Sequence, residues 1–181
     1  MIDAQRAAEW RPTFDKWAQD AQPLLGKGKV KEAFADYPWF TTTQNSPFAK
    51  LTKPASETKF GLVTTGGYSI AGQQEPMRAH PTFGDEAPEF LAIPKDVDTN
   101  KLVINHPGYD HKYALEDHNV NLPFDRLAEM VAEGEIGGLS DDTLVLMGLQ
   151  VNVEPLVRET IPQLVTKLQK DGVEAALLVP S

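Results

Sequence analysis

Phe60-Gly61-Leu62-Val63-Thr64-Thr65-Gly66-Gly67 is the stretch on which the fold turns. Its apolar run is too short for a helix and closes on two hydroxyls and two glycines. That is the pattern of a strand buried on both faces and ending in a tight loop. Similar short runs, rich in Val, Ile and Leu, recur at 102–105, 144–147 and 175–179. Helical patterns lie between them. Phe124, Leu127, Ala128 and Val131 share one face of 124–132, which ends at Gly134; Leu156, Val157, Ile161, Leu164, Val165 and Leu168 share one face of 154–171, which ends at Gly172. Pro162 predicts a kink near Arg158 or Glu159. Strand, helix, strand, helix, strand implies an α/β fold, a mostly parallel sheet with flanking helices in a Rossmann-like three-layer arrangement. The last strand is followed by Pro180 and Ser181 alone. The fold therefore reads as apparently incomplete at its C-terminus, with that strand left uncovered on one face or paired with something outside this chain.

Upstream, the chain reads as an N-terminal helical and extended arm over 1–54, with the α/β domain over 55–181. Ala7, Trp10, Phe14, Trp17, Ala21 and Leu24 recur at helical spacing, with Asp3 placed to cap the segment. Pro12 either sits in a first turn or splits the segment into two shorter helices. From Tyr37 to Pro54 the composition shifts to Pro, Thr, Ser and Asn. Trp39, Phe40, Pro47 and Phe48 lie within it, as expected of an extended arm docked through its rings.

Composition narrows the function. The 181 residues carry 17 Lys+Arg against 26 Asp+Glu, a net charge of −9, and no Cys. Absence of Cys removes disulfides, zinc thiolate sites, iron–sulfur ligation and thiol catalysis by these residues. The acidic balance argues against nucleic acid as a partner; Lys27, Lys29 and Lys31 are the one basic cluster, and it reads as solvated. No apolar run approaches the ~18 residues of a membrane span, and the N-terminus lacks a signal-peptide pattern, so the expected location is the cytoplasm.

In α/β sheets ligands bind beyond the carboxyl ends of the strands. Thr64, Thr65, Gly66 and Gly67 form one such loop, and its N–H and O–H donors suit a carboxylate or phosphate. The densest polar cluster follows the run at 102–105: Asn105-His106-Pro107-Gly108-Tyr109-Asp110-His111, then Glu116-Asp117-His118-Asn119. Two chemical readings are open, a metal site of imidazoles and carboxylates, or an acid–base pair in which Asp110 or Asp117 orients an imidazole. A third element, Asn119-Val120-Asn121-Leu122-Pro123-Phe124-Asp125-Arg126-Leu127, places Pro123 and Asp125 at a helix start. Arg126 then either faces a carboxylate or makes a structural ion pair.

Taken in order, these strings resemble the selenoprotein B component of glycine, sarcosine, betaine and D-proline reductases. The resemblance runs from Leu51-Thr52-Lys53-Pro54 through the Thr-Thr-Gly-Gly loop, the histidine loop, the string from Asp117 to Leu127 and Gly134-Glu135-Ile136-Gly137. It ends on Asp171-Gly172-Val173-Glu174-Ala175-Ala176-Leu177-Leu178-Val179-Pro180. It implies an oxidoreductase subunit that reductively cleaves a carbon–nitrogen bond α to a carboxylate. The implied cofactors are a selenocysteine or cysteine just after Ser181 and, in several members, a pyruvoyl group on a partner subunit. The implied partners are a small amino acid or betaine-like substrate, other reductase subunits or a thiol reductant, and a second copy of the chain.

The resemblance also suggests roles. Thr64, Thr65, Gly66 and Gly67 would bind the substrate carboxylate or stabilise a selenolate. His106, Asp110 and His111 would be catalytic, one imidazole acting as general acid to the departing amine, while Asp117, Asn119 and Arg126 would contact substrate. No metal ligand is implied. Trp39, Phe40, Tyr68 and Tyr109 are candidates for an aromatic cage around a quaternary ammonium. Because UGA encodes selenocysteine and is read by default as a stop, the chain is expected to be a truncated selenoprotein, inactive without its redox residue. Two further readings stand beside this one: a metal-dependent hydrolase using His106, Asp110, His111 and His118, and a non-catalytic assembly module.

Overall fold

The computed structural model describes residues 4–41, 49–78 and 83–181. The elements, in chain order, are α1 (Ala4–Leu25), α2 (Val30–Ala33), β1 (Lys59–Thr64), β2 (Tyr68–Ile70), β3 (Phe90–Pro94), β4 (Leu102–Ile104), α3 (Lys112–Glu116) and α4 (Phe124–Ala132). They continue with β5 (Gly138–Leu139), β6 (Asp142–Leu146), α5 (Val153–Pro155), a π-helical segment (Leu156–Thr160), α6 (Ile161–Lys170) and β7 (Ala175–Val179).

The mostly parallel, helix-flanked sheet expected from sequence is present, with β1 at its centre. One edge of β1 pairs in parallel with β7 from Phe60↔Ala175 to Thr64↔Val179. The other edge pairs in parallel with β5 at Lys59 and Phe60, then with β6 at Val63 and Thr64. β5 and β6 thus share one flank of β1. β3 closes that side antiparallel to β6, with Pro94 at its end, where a missing amide does least harm. The run at 102–105 does not join this sheet. It forms β4, which pairs antiparallel with β2 in a separate two-stranded ribbon.

Strand alternation sorts the core into two layers. Leu62 and Val145 face α4, packing with Phe124, Leu127, Leu122 and Ile93. Val63 and Leu144 face the opposite way, onto Leu164 and Leu168 of α6. β7 is covered least: Leu177 is 40 % and Leu178 69 % exposed, one on each face, and among the described residues β7 pairs with β1 alone.

The N-terminal segment departs from the two-helix reading. α1 runs unbroken for 22 residues through both Pro12 and Pro23. Each proline removes one amide from the helical ladder. Continuous burial of Ala7, Phe14, Trp17, Ala18 and Ala21 offsets the loss. Around this face Phe83 stacks on Trp17, Tyr37 meets it edge-on and Phe34 packs at a tilt, and Trp17 Nε1 donates to Ala33 O at 2.9 Å. Tyr37 OH donates to Val151 O at 2.7 Å, tying the arm to the loop after β6. Asp3, Pro47 and Phe48 lie outside the described residues. The kink expected from Pro162 takes the form of the π-helical segment, which absorbs the missing amide one turn before the proline. No helix among the described residues is long and apolar enough to cross a membrane.

Adjacent glycines at the start of β5 offer a test of packing. A Cβ on Gly137 would sit 2.5 Å from Glu57 C and 2.7 Å from Thr58 N, both backbone atoms that cannot step aside. On Gly138 the nearest atom is Lys59 Cγ at 3.7 Å. Gly137→Ala is expected to destabilise the protein by about 2 kcal/mol or more, and Gly138→Ala by less than about 1 kcal/mol, in urea unfolding.

Candidate functional site

The loop that ends β1 spends its own donors. Thr65 N–H donates to Val179 O at 3.1 Å and Gly67 N–H to Leu146 O at 3.2 Å. Gly66 N–H donates to Thr64 Oγ1 at 3.1 Å. Thr64 Oγ1 in turn donates to Asn121 O at 2.6 Å. The expected anion cradle of loop amides is therefore not what this loop offers, since β6, β7 and a threonine take all three amides. Thr65 is the exception among the side chains. Its Oγ1 accepts Ser181 N–H at 2.9 Å, and its own proton has no acceptor among the described residues.

His106 is the side chain that the strand ends enclose. It is 4 % exposed, and its Nδ1 accepts Gly108 N–H at 2.9 Å. With Nδ1 an acceptor, the neutral ring carries its proton on Nε2, an assignment that follows from the hydrogen-bond network. Nε2 is fully buried and has no hydrogen-bond partner among the described residues. Leaving a buried donor unpaired costs about 1–3 kcal/mol, so its retention calls for an explanation. The ring fits because three residues lack side chains. A Cβ on Gly67 would lie 2.9 Å from His106 Cβ, one on Gly108 2.8 Å from Cε1, and one on Gly148 2.4 Å from Nε2. The same point on Gly148 lies 3.2 Å from Ser181 O, so the end of β7 arrives directly over this slot.

His111 holds the loop from outside. Its Nε2 lies 2.5 Å from His106 O, where it acts as the donor. Tyr109 packs against both imidazoles at centroid distances of 4.9 Å and donates from its hydroxyl to Gly66 O at 2.9 Å. Burial, with His111 nearby, lowers the His106 pKa below its ordinary value.

The other sequence candidates go elsewhere. Asp110 is exposed, and its Oδ1 accepts Lys112 N–H at 3.0 Å at the start of α3. Asp117 accepts from both the N–H and the Nδ2 of Asn119 at 2.9 Å, bonds that lower its pKa. Neither carboxylate orients His106 or His111, so the acid–base pairing read from the sequence is not formed. Asn119 also reaches Asp125 at 3.1 Å, and His118 Nε2 lies 2.9 Å from the same carboxylate without hydrogen-bond alignment. Arg126 is 60 % exposed and pairs with Glu129 at 2.8 Å along α4, which makes it the structural ion pair of the two readings. Among the described residues no three His, Asp or Glu side chains come together as a metal site. Nor do the four aromatics form one cage. Trp39 and Phe40 line a hollow of about 250 Å³ with Phe34, Tyr37 and Leu149, whereas Tyr68 is buried in the core.

Asn121 is the residue that sequence reasoning passed over. It is buried, its backbone carbonyl accepts from Thr64, and its Oδ1 accepts the Tyr68 hydroxyl. Burial raises the Tyr109 pKa, and the Asn121 side chain acts against that rise. One residue thus ties the end of β1 to the start of β2. The available signal was a polar residue placed between Val120 and Leu122 in an otherwise apolar stretch.

The depressed His106 pKa fixes a pH dependence. With the folded pKa below the unfolded one, the stabilisation is complete above the ordinary value of about 6.5 and is lost as pH falls from there toward the folded pKa. His106→Asn, which keeps an acceptor for Gly108 N–H, is expected to flatten this acid limb in melting curves recorded between roughly pH 7 and pH 5.

Comparison with known proteins follows the same stretch of chain. Residues 20–181 match the family described as glycine/sarcosine/betaine reductase selenoprotein B. The D-proline reductase subunit gamma of Acetoanaerobium sticklandii is 29 % identical over 128 residues, 71 % of this chain and 50 % of that protein. The glycine reductase complex component B subunit gamma of Carboxydothermus hydrogenoformans is 32 % identical over 127 residues, 70 % of this chain and 28 % of that protein. The subunit of the same name from Symbiobacterium thermophilum is 27 % identical over 161 residues, 89 % of this chain and 37 % of that protein. The chain spans half or less of the length of these relatives, and no solved structure matches it. The chain belongs to the glycine/sarcosine/betaine reductase selenoprotein B family.

Proposed function

We propose that residues 1–181 are the substrate-handling part of a reductase subunit that cleaves a carbon–nitrogen bond α to a carboxylate. The observation that carries this reading is the family match across 20–181, which includes all three strand-end segments that enclose His106. Replacing C–N by C–H and N–H takes two electrons and two protons, which a thiol or selenol pair supplies as it becomes a disulfide or selenosulfide. With no Cys in 181 residues, that pair lies outside them. The approach of Ser181 O to within 3.2 Å of the side-chain position of Gly148, beside His106, supports a selenocysteine or cysteine that acts next to this imidazole. Other reductase subunits are the partners, one of which would carry a pyruvoyl group to activate the amine, with a thiol reductant in the cytoplasm. The substrate class is a small amino acid or betaine.

The codon after Ser181 is the first test: UGA followed by an open frame supports the reading, and UAA or UAG contradicts it. The second is catalytic. The polypeptide that includes the redox residue, assembled with its partner subunits and a dithiol, is expected to consume at least one of glycine, sarcosine, betaine and D-proline. Residues 1–181 alone should consume none. A folded assembly inert toward all four would overturn the proposal.

A further inference from the structure

We propose that His106 is a hydrogen-bond donor, held in its neutral Nε2–H form, to a compact anion seated over Gly148 at the carboxyl ends of β1, β6 and β7. The chemical identity of that anion, though not its site, rests on the reading above. Gly108 N–H occupies Nδ1 and so places the ring proton on Nε2. Nε2 is enclosed without an acceptor among the described residues. Gly148 meets Nε2 with backbone alone, since a Cβ there would lie 2.4 Å from Nε2 and 3.2 Å from Ser181 O, so no side chain of residue 148 stands between the ring and the end of β7. Thr65 brings a second donor, its hydroxyl, to the same end of the sheet. Enclosure strengthens a donor–anion bond, because little water competes for either partner. Burial and His111 both disfavour a charged ring in the empty site, so His106 meets an incoming anion as a neutral donor. That role differs from the general acid implied by family resemblance. A substrate carboxylate and a thiolate or selenolate share the chemistry this donor requires.

Two variants with opposite chemistry separate the role from folding. His106→Asn keeps an acceptor for Gly108 N–H and drops the Nε2 donor; His106→Gln carries a donor to that depth. In the carboxylate arm, acetate and D-proline are titrated into the chain and followed by the amide resonances of Gly108 and Gly148. Saturable shifts are expected, weakened at least about tenfold in the Asn variant and partly recovered in Gln. In the chalcogen arm, the polypeptide carrying the redox residue is alkylated as a function of pH. There the thiol or selenol pKa is expected to rise by about one unit in Asn and return toward wild type in Gln, a tenfold change. An effect in the first arm assigns the anion to substrate, and in the second to the protein. If His106→Asn alters neither, the proposal fails even where the assembly cleaves its substrate. If the variants respond while no C–N bond is cleaved, the site stands and the proposed reaction fails.

Discussion

The structure depends on β1 being hydrogen-bonded along both of its edges, to β7 on one side and to β5 and β6 on the other. A strand in that position has every amide engaged and both faces buried, which is why its sequence is a nearly continuous apolar run. The constraint continues past its last residue. β7, β6 and Thr64 take the three amides of Thr65, Gly66 and Gly67, so the loop is fixed by the sheet and is not free to wrap a ligand. What remains available at the strand ends is side-chain chemistry.

That chemistry gathers on one imidazole. Three glycines from three different loops, 67, 108 and 148, leave the space that the His106 ring fills. Asn121 braces the Gly67 loop from both sides, accepting from Thr64 through its backbone carbonyl and from Tyr68 through Oδ1. Outside this centre, the charged residues of the histidine loop and the α4 start serve local turns and surface pairs. The glycine substitutions and the buried amide are thus parts of one device that fixes a tautomer and aims it.

Much of this was legible in the sequence. Period and punctuation located β1, β6, β7, α4 and α6, because each buries a face whose pattern survives in the residues. β3 was missed since it is an edge strand ending in Pro94, and β2 and β5 because two or three residues carry no period. α1 defied its prolines since aromatic burial outweighed the loss of two amides. At the site, His106 was visible as a residue but its separation from Asp110, Asp117 and Arg126 was not. Spacing along a loop does not report which side chains cap the next turn and which turn inward. Asn121 was hidden for the same reason, its role arising from contacts with residues 57 and 53 positions away.

The central claim is that His106 stands buried at the strand ends as a neutral ring with its proton on Nε2. Ring nitrogen shifts of His106, measured by long-range proton–nitrogen NMR at neutral pH on labelled protein, address it directly. The account predicts an unprotonated Nδ1 accepting a hydrogen bond and a protonated Nε2. A ring protonated on Nδ1, or on both nitrogens, would contradict it.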